Sequence, residues 1–354
     1  VAAALLLAVP LAGCATGGPP ALTIGLALDP TGPADASVNG LVAATVAATR
    51  NRLGRRVATV RTFTARPGER DQDKYQRLAI LCGSGADPVI AVGAGYAGAD
   101  PANGPLARAA HDCPSTRFAL LDDASVRAPN VAALAFADDQ GAYLMGVAAA
   151  LRAGAGPADG GGPTEPGTGT GAVALLAGCR TPAVVAAAAA YRAGALAARP
   201  GTRVEVAYLA TDPADCAARY ADPDAARAAA ATLYATGAGV VYQLTGAAVA
   251  GVLTAAKAAD GLVIGSGVDQ YPQFGPPLRT TLLTSLRKRV DRVLDRFLTA
   301  VAAGRFQPGI QRGTLKSGDL GYATSGEYIA ALSARLDIDK QEIIDGRVTL
   351  PDQP

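Results

Sequence analysis

From residue 21 onward, short apolar runs alternate with longer stretches of helical spacing. ALTIGLAL (21–28), RVATVRTF (56–63), PVIAVG (88–93), FALLD (118–122) and VAALAF (131–136) have the length and apolar content of strands. Residues 39–53, 71–82 and 140–152 between and after them have helical spacing, and an Ala-rich helical stretch ends near His111. GAGPADGGGPTEPGTGTG (154–171) has no apolar period and reads as a flexible crossing. The alternation then restarts: GAVALLAG (171–178), RVEVAYLA (203–210), GVVYQLTG (239–246) and GLVIGSG (261–267) read as strands, with helices over 182–199, 222–236 and 247–259. The run 285–304 is amphipathic and basic, and reads as a helix with a solvated face. Strands separated by helices imply parallel sheets, and two such series imply an α/β protein of two Rossmann-like lobes with a hinge and an interlobe cleft.

Composition narrows what such a protein does. The 354 residues carry 32 Lys and Arg against 30 Asp and Glu, a net charge of +2, so no cationic surplus exists for nucleic acid. Half the positions are hydrophobic and mean hydropathy is +0.21, which excludes disorder. Aromatics are only 5% and there is no Trp, so the core is built from small aliphatic side chains. His111 is the single histidine, which leaves Ser-His-Asp and His-ligated zinc chemistry no other imidazole. It reads as a helix-end residue.

The first residues, VAAALLLAVPLAGC, form an apolar segment too short to span a membrane, with small residues before Cys14. The pattern resembles a bacterial lipobox, although no Lys or Arg precedes the apolar run. Residues 1–13 are then a signal segment, Cys14 the lipidation site and 14–21 a tether. Cys82, Cys113, Cys179 and Cys216 remain, without metal-site spacing. An exported chain with an even number of cysteines favours disulfides over free thiols. Of three pairings, Cys82–Cys113 with Cys179–Cys216 keeps each pair within one expected lobe.

Candidate chemistry lies where strands end. Gly93-Ala94-Gly95-Tyr96-Ala97-Gly98 is a formal GxGxxG, but it follows a later strand of the series, which argues against a dinucleotide site while leaving backbone amides for a polar ligand. Asp122-Asp123 and Asp138-Asp139 follow strands, and with no histidine or nucleophile beside them they point to ligand binding or helix capping rather than acid–base catalysis. Asp269 in IGSGVDQY and Lys288 in LTSLRK stand at equivalent places.

Several of these segments together resemble the basic membrane lipoprotein family, solute-binding proteins that serve ABC importers and include purine nucleoside receptors. The similarity runs over about 22–351 and rests on Asp29 with Asp35-Ala36-Ser37-Val38-Asn39, Asp138-Asp139-Gln140-Gly141-Ala142, Gly267-Val268-Asp269, Thr284-Ser285-Leu286-Arg287-Lys288 and IDGRVTLP from Ile344 to Pro351. The resemblance implies a type I periplasmic-binding-protein fold, with lobes expected at 22–150 plus 284–304 and at 172–283 plus 305–354, joined by a crossing loop at 151–171. It also implies that Asp269 and Lys288 hold a ribose and that acids and amides near Asn39 and Asp122 read a base; Asp35, Ser37, Tyr96, Asp123 and Gly246 are the further candidate ligand residues. The family sandwiches its purine between two phenylalanines, and those positions are Val38 and Ala187 here. Tyr96, Tyr242 and Tyr271 stand near the expected cleft as substitute faces.

The implied function is a lipid-anchored, monomeric, non-enzymatic receptor on the outer face of the cytoplasmic membrane. It captures a nucleoside-like ligand, needs no cofactor and no nucleic acid, and serves an ABC permease and ATPase. A ligand-sensing lipoprotein of the same fold, with altered or lost nucleoside binding, is the alternative that the missing aromatics motivate.

Overall fold

The computed structural model describes residues 21–29, 38–66, 68–153, 171–212, 215–326 and 328–351. The expected signal segment, Cys14, Asp35 and Ser37 lie outside these residues, as does the Gly/Pro-rich stretch 154–170. Among the described residues no helix is long and apolar enough to cross a membrane.

The first part of the chain runs β1 (Leu22–Leu28), α1 (Val38–Leu53), β2 (Val57–Thr64), α2 (Asp71–Gly83), β3 (Val89–Val92), α3 (Pro105–Asp112), β4 (Phe118–Leu121), β5 (Val131–Phe136) and α4 (Asp138–Ala153). The middle runs β6 (Ala172–Ala177), α5 (Pro182–Ala198), β7 (Arg203–Tyr208), α6 (Cys216–Arg219), α7 (Pro223–Ala235), β8 (Ala238–Leu244), α8 (Val249–Ala258), β9 (Leu262–Gly265), α9 (Pro276–Arg279) and β10 (Leu282–Lys288). The rest is α10 (Val290–Ala302), β11 (Gly309–Gly313), β12 (Leu320–Tyr322) and α11 (Ala330–Ile344).

Two sheets result, ordered β11-β5-β4-β3-β1-β2 and β12-β10-β9-β8-β6-β7. All pairings are parallel except β10 with β12. Strands β3, β4, β5 and β6 are buried along their whole length, which explains why they read as continuous apolar runs rather than alternating ones. Strand order reverses beside β1 in one sheet and beside β6 in the other, and open α/β sheets bind ligands outside the carboxyl ends of strands at such points. The expected pairs Cys82–Cys113 and Cys179–Cys216 both form, one in each lobe.

The lobe boundaries differ from the expected ones. Helix α4 packs on α5, β8 and α11, so it belongs to the second lobe, and the chain crosses directly after β5 rather than at 151–171. Residues 282–288 are a strand of the second sheet, not the start of a basic helix, and the chain returns at Arg289 to place α10 against α1. It crosses a third time between β11, in the first sheet, and β12, in the second. The crossings are short and mutually bonded: the Ala137 amide donates to the Gly313 carbonyl at 2.9 Å, and the Arg289 amide to that of Asp319 at 2.7 Å. Their backbone is satisfied by neighbouring segments, so no Gly/Pro enrichment marks them, whereas the stretch that has it joins α4 to β6 of one lobe.

Helix α4 packs closely on α5 in the second lobe. A Cβ at Gly146 would stand 2.0 Å from the Tyr191 carbonyl oxygen, and one at Gly194 2.0 Å from that of Tyr143. Two glycines thus let the helix backbones touch, at the helical-propensity cost that glycine carries. We expect Gly146→Ala and Gly194→Ala each to lose about 3 kcal/mol by overpacking and several degrees of Tm. Gly83→Ala, at the end of α2 with open space around it, is expected to be neutral or slightly stabilising. Thermal unfolding of the three variants checks this; equal Tm values would contradict it.

Candidate functional site

Lys288, the last residue of β10, reaches from the second sheet toward the first lobe. Its ammonium lies 2.7 and 3.0 Å from the carboxylate oxygens of Asp122, and 2.9 and 3.1 Å from those of Asp138. Asp122 follows β4 of the first lobe, and Asp138 opens α4 of the second. The Lys288 side chain is 11% exposed. Its nitrogen stands 5.6 Å from the centre of the Phe136 ring. Burial alone would favour the neutral amine, but the paired carboxylates outweigh it and push the Lys288 pKa well above the usual lysine value. Enclosure pushes the Asp138 pKa up, with Lys288 opposing. Asp122 has φ +64°, a left-handed backbone that a non-glycine residue adopts at some energetic cost and that recurs at ligand-holding positions.

On one side of Lys288 a cavity of about 590 Å³ opens between α1 and residues 268–291, lined by Leu41 and Ala44 of the first lobe and by Val268, Asp269 and Arg289. Asp269 follows β9 and is fixed in orientation: one carboxylate oxygen accepts from the Ser325 hydroxyl at 2.7 Å and from the Tyr271 amide at 3.2 Å. Beneath this loop lies a polar network that carried no recognisable motif. The Gln243 amide donates to Gln270 Oε1 at 3.1 Å, Gln243 Oε1 accepts from the Thr245 hydroxyl at 2.8 Å, and the Gln270 amide N–H donates to the Ser285 hydroxyl at 3.2 Å. All four side chains are buried and satisfied, so they hold the ends of β8, β9 and β10 in a fixed relation. Thr284 serves the same structural end by donating to the Ala323 carbonyl at 2.7 Å.

The other sequence candidates fall into distinct places. Asn39 is fully buried at the start of α1 and donates to the Asp29 carboxylate, tying that helix to the end of β1. Val38 reaches across to Gly267 of the second lobe, with 3.6 Å between its methyl and the site of a Cβ there. Asp123 closes a turn by accepting from the Ser125 amide at 2.7 Å and stands apart from the lysine cluster. Tyr96 is buried in the first lobe, where its hydroxyl donates to the Leu28 carbonyl and accepts from Arg77, each at 3.1 Å. Only a short 3-10 turn follows Gly93, and α3 starts at Pro105, so the glycine motif has no helix N-terminus behind it. Tyr242 stacks on Tyr191 with ring centres 5.5 Å apart, and Tyr271 faces the Arg279 guanidinium at 5.5 Å. Gly246, at φ +59°, begins the turn after β8 and packs under the ring of Tyr220, a residue that the sequence did not single out. His111 is in the last turn of α3.

Two mainly parallel sheets flanked by helices, crossed three times and facing one another through their strand ends, define a two-lobed protein of the type I periplasmic-binding-protein fold. The chain belongs to the Bmp family of PnrA-like ABC transporter substrate-binding proteins, whose pattern matches residues 73–321. It is 27% identical over 257 residues to a CD4+ T-cell-stimulating antigen of Listeria innocua, covering 68% of this chain and 65% of that protein, just under two thirds of the relative's length. It is 27% identical over 260 residues to the ABC transporter nucleoside-binding protein BmpA of Lactococcus lactis, covering 69% of this chain and 66% of that one. Among solved structures, a solute-binding protein of an ABC transporter system from Aeropyrum pernix superposes with a TM-score of 0.72 at 22% identity, covering 94% of both chains. A myo-inositol binding protein of Caulobacter superposes at 0.59 with 13% identity, covering 90% of this chain and 97% of that one.

Removing the lysine charge tests the ion cluster. Lys288→Gln leaves Asp122 and Asp138 facing one another, and we expect a loss of about 3 kcal/mol at neutral pH. The Asp138 pKa, already raised, rises further without the ammonium. A carboxyl whose folded pKa is raised contributes stability at low pH and loses it as pH climbs through that value, so the penalty of the variant is smaller at pH ~5 than at pH ~7.5. Urea unfolding at both pH values measures this, and a pH-independent penalty would contradict it.

Proposed function

We propose that this protein captures a nucleoside, or a ligand of closely similar hydroxyl pattern, between its lobes and delivers it to an ABC permease and its ATPase. On this reading it acts as a monomer held by a lipid on Cys14 at the outer face of the cytoplasmic membrane. The observation that carries the proposal is the juxtaposition of Asp269 and Lys288 along one cavity, a fixed carboxylate acceptor beside a permanently charged donor. That pair suits a vicinal diol, which donates to one group and accepts from the other. The name of the Lactococcus relative supports the same class of ligand.

The family and fold are those of binding proteins. A ligand touching both Asp122's lobe and Asp269's lobe favours the closed arrangement by the contacts it adds there, and the short crossings carry the rotation. Because Lys288 already bridges the lobes, the ligand completes a polar set that is partly assembled.

We expect thermal unfolding in the presence of purine and pyrimidine nucleosides to show a concentration-dependent rise in Tm for at least one of them. Asp269→Ala is expected to weaken that binding about 10-fold or more, the effect of losing hydrogen bonds to a charged group. No shift with any nucleoside, sugar or flavin would contradict the proposal.

A further inference from the structure

Resting on the nucleoside reading, a further residue of the site follows from how the second lobe is stapled. Tyr220 comes directly after α6, and its ring lies flat against backbone at the carboxyl ends of two central strands. A Cβ at Gly178, just past β6, would stand 2.6 Å from Tyr220 Cδ1 and Cε1, and one at Gly246, just past β8, 3.2 Å from Cδ1. Nothing larger than glycine fits beneath the ring at Gly178. The backbone of Tyr220 is held on both sides: its amide donates to the Cys216 carbonyl and its carbonyl accepts from the Ala248 amide, each at 3.1 Å.

The phenol also feels the interlobe charges. Burial raises the Tyr220 pKa, Asp122 raises it further and Lys288 opposes, so the phenol lies within electrostatic reach of the ion cluster. Its hydroxyl makes no hydrogen bond to any described residue, in contrast to the hydroxyl of Tyr96. Val38 and Ala187 occupy the positions where the resembling family carries phenylalanines, so an aromatic surface for a planar base has to come from elsewhere in this chain. Tyr242 is stacked in the core, and Tyr271 is engaged by Arg279.

The helix that precedes Tyr220, α6, is only four residues long. Its covalent anchor is the disulfide between Cys216, one helical turn before Tyr220, and Cys179, which neighbours Gly178. The staple therefore joins the segment beneath the ring to the segment that bears it. We propose that Tyr220 is the surface against which the planar base of the ligand stacks, and that the Cys179–Cys216 disulfide is the positioning element that holds it over Gly178 and Gly246. Affinity for the base, but not for the sugar, is then sensitive to the state of one disulfide and indifferent to the other.

The test is isothermal titration of the purified chain with adenosine, inosine and ribose, alongside circular dichroism to confirm folding. Tyr220→Ala is expected to weaken nucleoside binding roughly 10-fold or more while leaving ribose unchanged, and Tyr220→Phe to stay within about threefold of wild type. The double variant Cys179→Ala/Cys216→Ala is expected to weaken nucleosides in the same way, whereas Cys82→Ala/Cys113→Ala lowers Tm without changing the ratio of nucleoside to ribose affinity. Unchanged nucleoside affinity in Tyr220→Ala, or an equal loss for ribose, would overturn the inference while the nucleoside reading stands. Wild-type protein that binds ribose but neither nucleoside overturns the stacking surface directly. Wild-type protein that binds none of the three overturns the stacking surface, and the nucleoside reading falls with it when pyrimidine nucleosides, other sugars and flavins also fail to bind.

Discussion

A lysine ammonium enclosed between two lobes has to be neutralised, because an unpaired buried charge costs several kcal/mol. Lys288 meets this requirement with one carboxylate from each side: Asp122 from the first lobe and Asp138 from the second. Much else about the cleft follows. Asp122 takes up a left-handed backbone where it meets the ammonium, Asp138 opens α4 where a helix N-terminus welcomes negative charge, and β10 ends at Lys288, immediately before the chain crosses back. The same residue therefore belongs to the hinge, to the interlobe contact and to the wall of the cavity beside Asp269.

Such an arrangement sets terms for any ligand. Each carboxylate freed from Lys288 has to find another donor or a proton, so a ligand that engages the ammonium does best by adding hydrogen bonds rather than by displacing both acids. Neutral hydroxyls satisfy this, and a strongly anionic group would have to approach Asp122, Asp138 and Asp269 together. Rigidity comes from below. The Gln243, Thr245, Gln270 and Ser285 network fixes the strand ends of the second lobe, and the Cys179–Cys216 staple ties down the turn above them. A floor ordered in advance spares the ligand the entropy of ordering it.

Much of the scaffold is legible in the sequence because parallel strands covered on both faces leave continuous apolar runs. VAALAF and FALLD need no neighbouring information to be read as strands, and the cysteine pairs follow from keeping each pair within one lobe. The crossings are not legible, because a short segment whose backbone bonds to its neighbours has no compositional mark. The glycines and prolines of 154–171 draw attention to a place where no lobe boundary falls. Strands β11 and β12 are too short, and too polar on one face, to show a pattern. Within the site, Asp122, Asp269 and Lys288 announce themselves as charges beside apolar strands. That Lys288 pairs with Asp122 and Asp138 is a matter of three-dimensional approach across 166 and 150 residues. Tyr220 escapes notice for the opposite reason: it lies in an Ala- and Asp-rich turn, and only the glycines packed beneath it reveal its orientation. Tyr96 sits beside a glycine motif that looks functional, yet both of its hydrogen bonds stay inside the first lobe.

The most direct test of the interlobe account is a crystal structure of the protein with whichever nucleoside or sugar raises its Tm most. The account predicts ligand density between the lobes, with a sugar hydroxyl within hydrogen-bond distance of Lys288 Nζ and of the Asp269 carboxylate, and with Lys288 keeping at least one of its two carboxylate partners. Density on an outer face of either lobe, with Lys288 still bound to both acids and remote from the ligand, would contradict it.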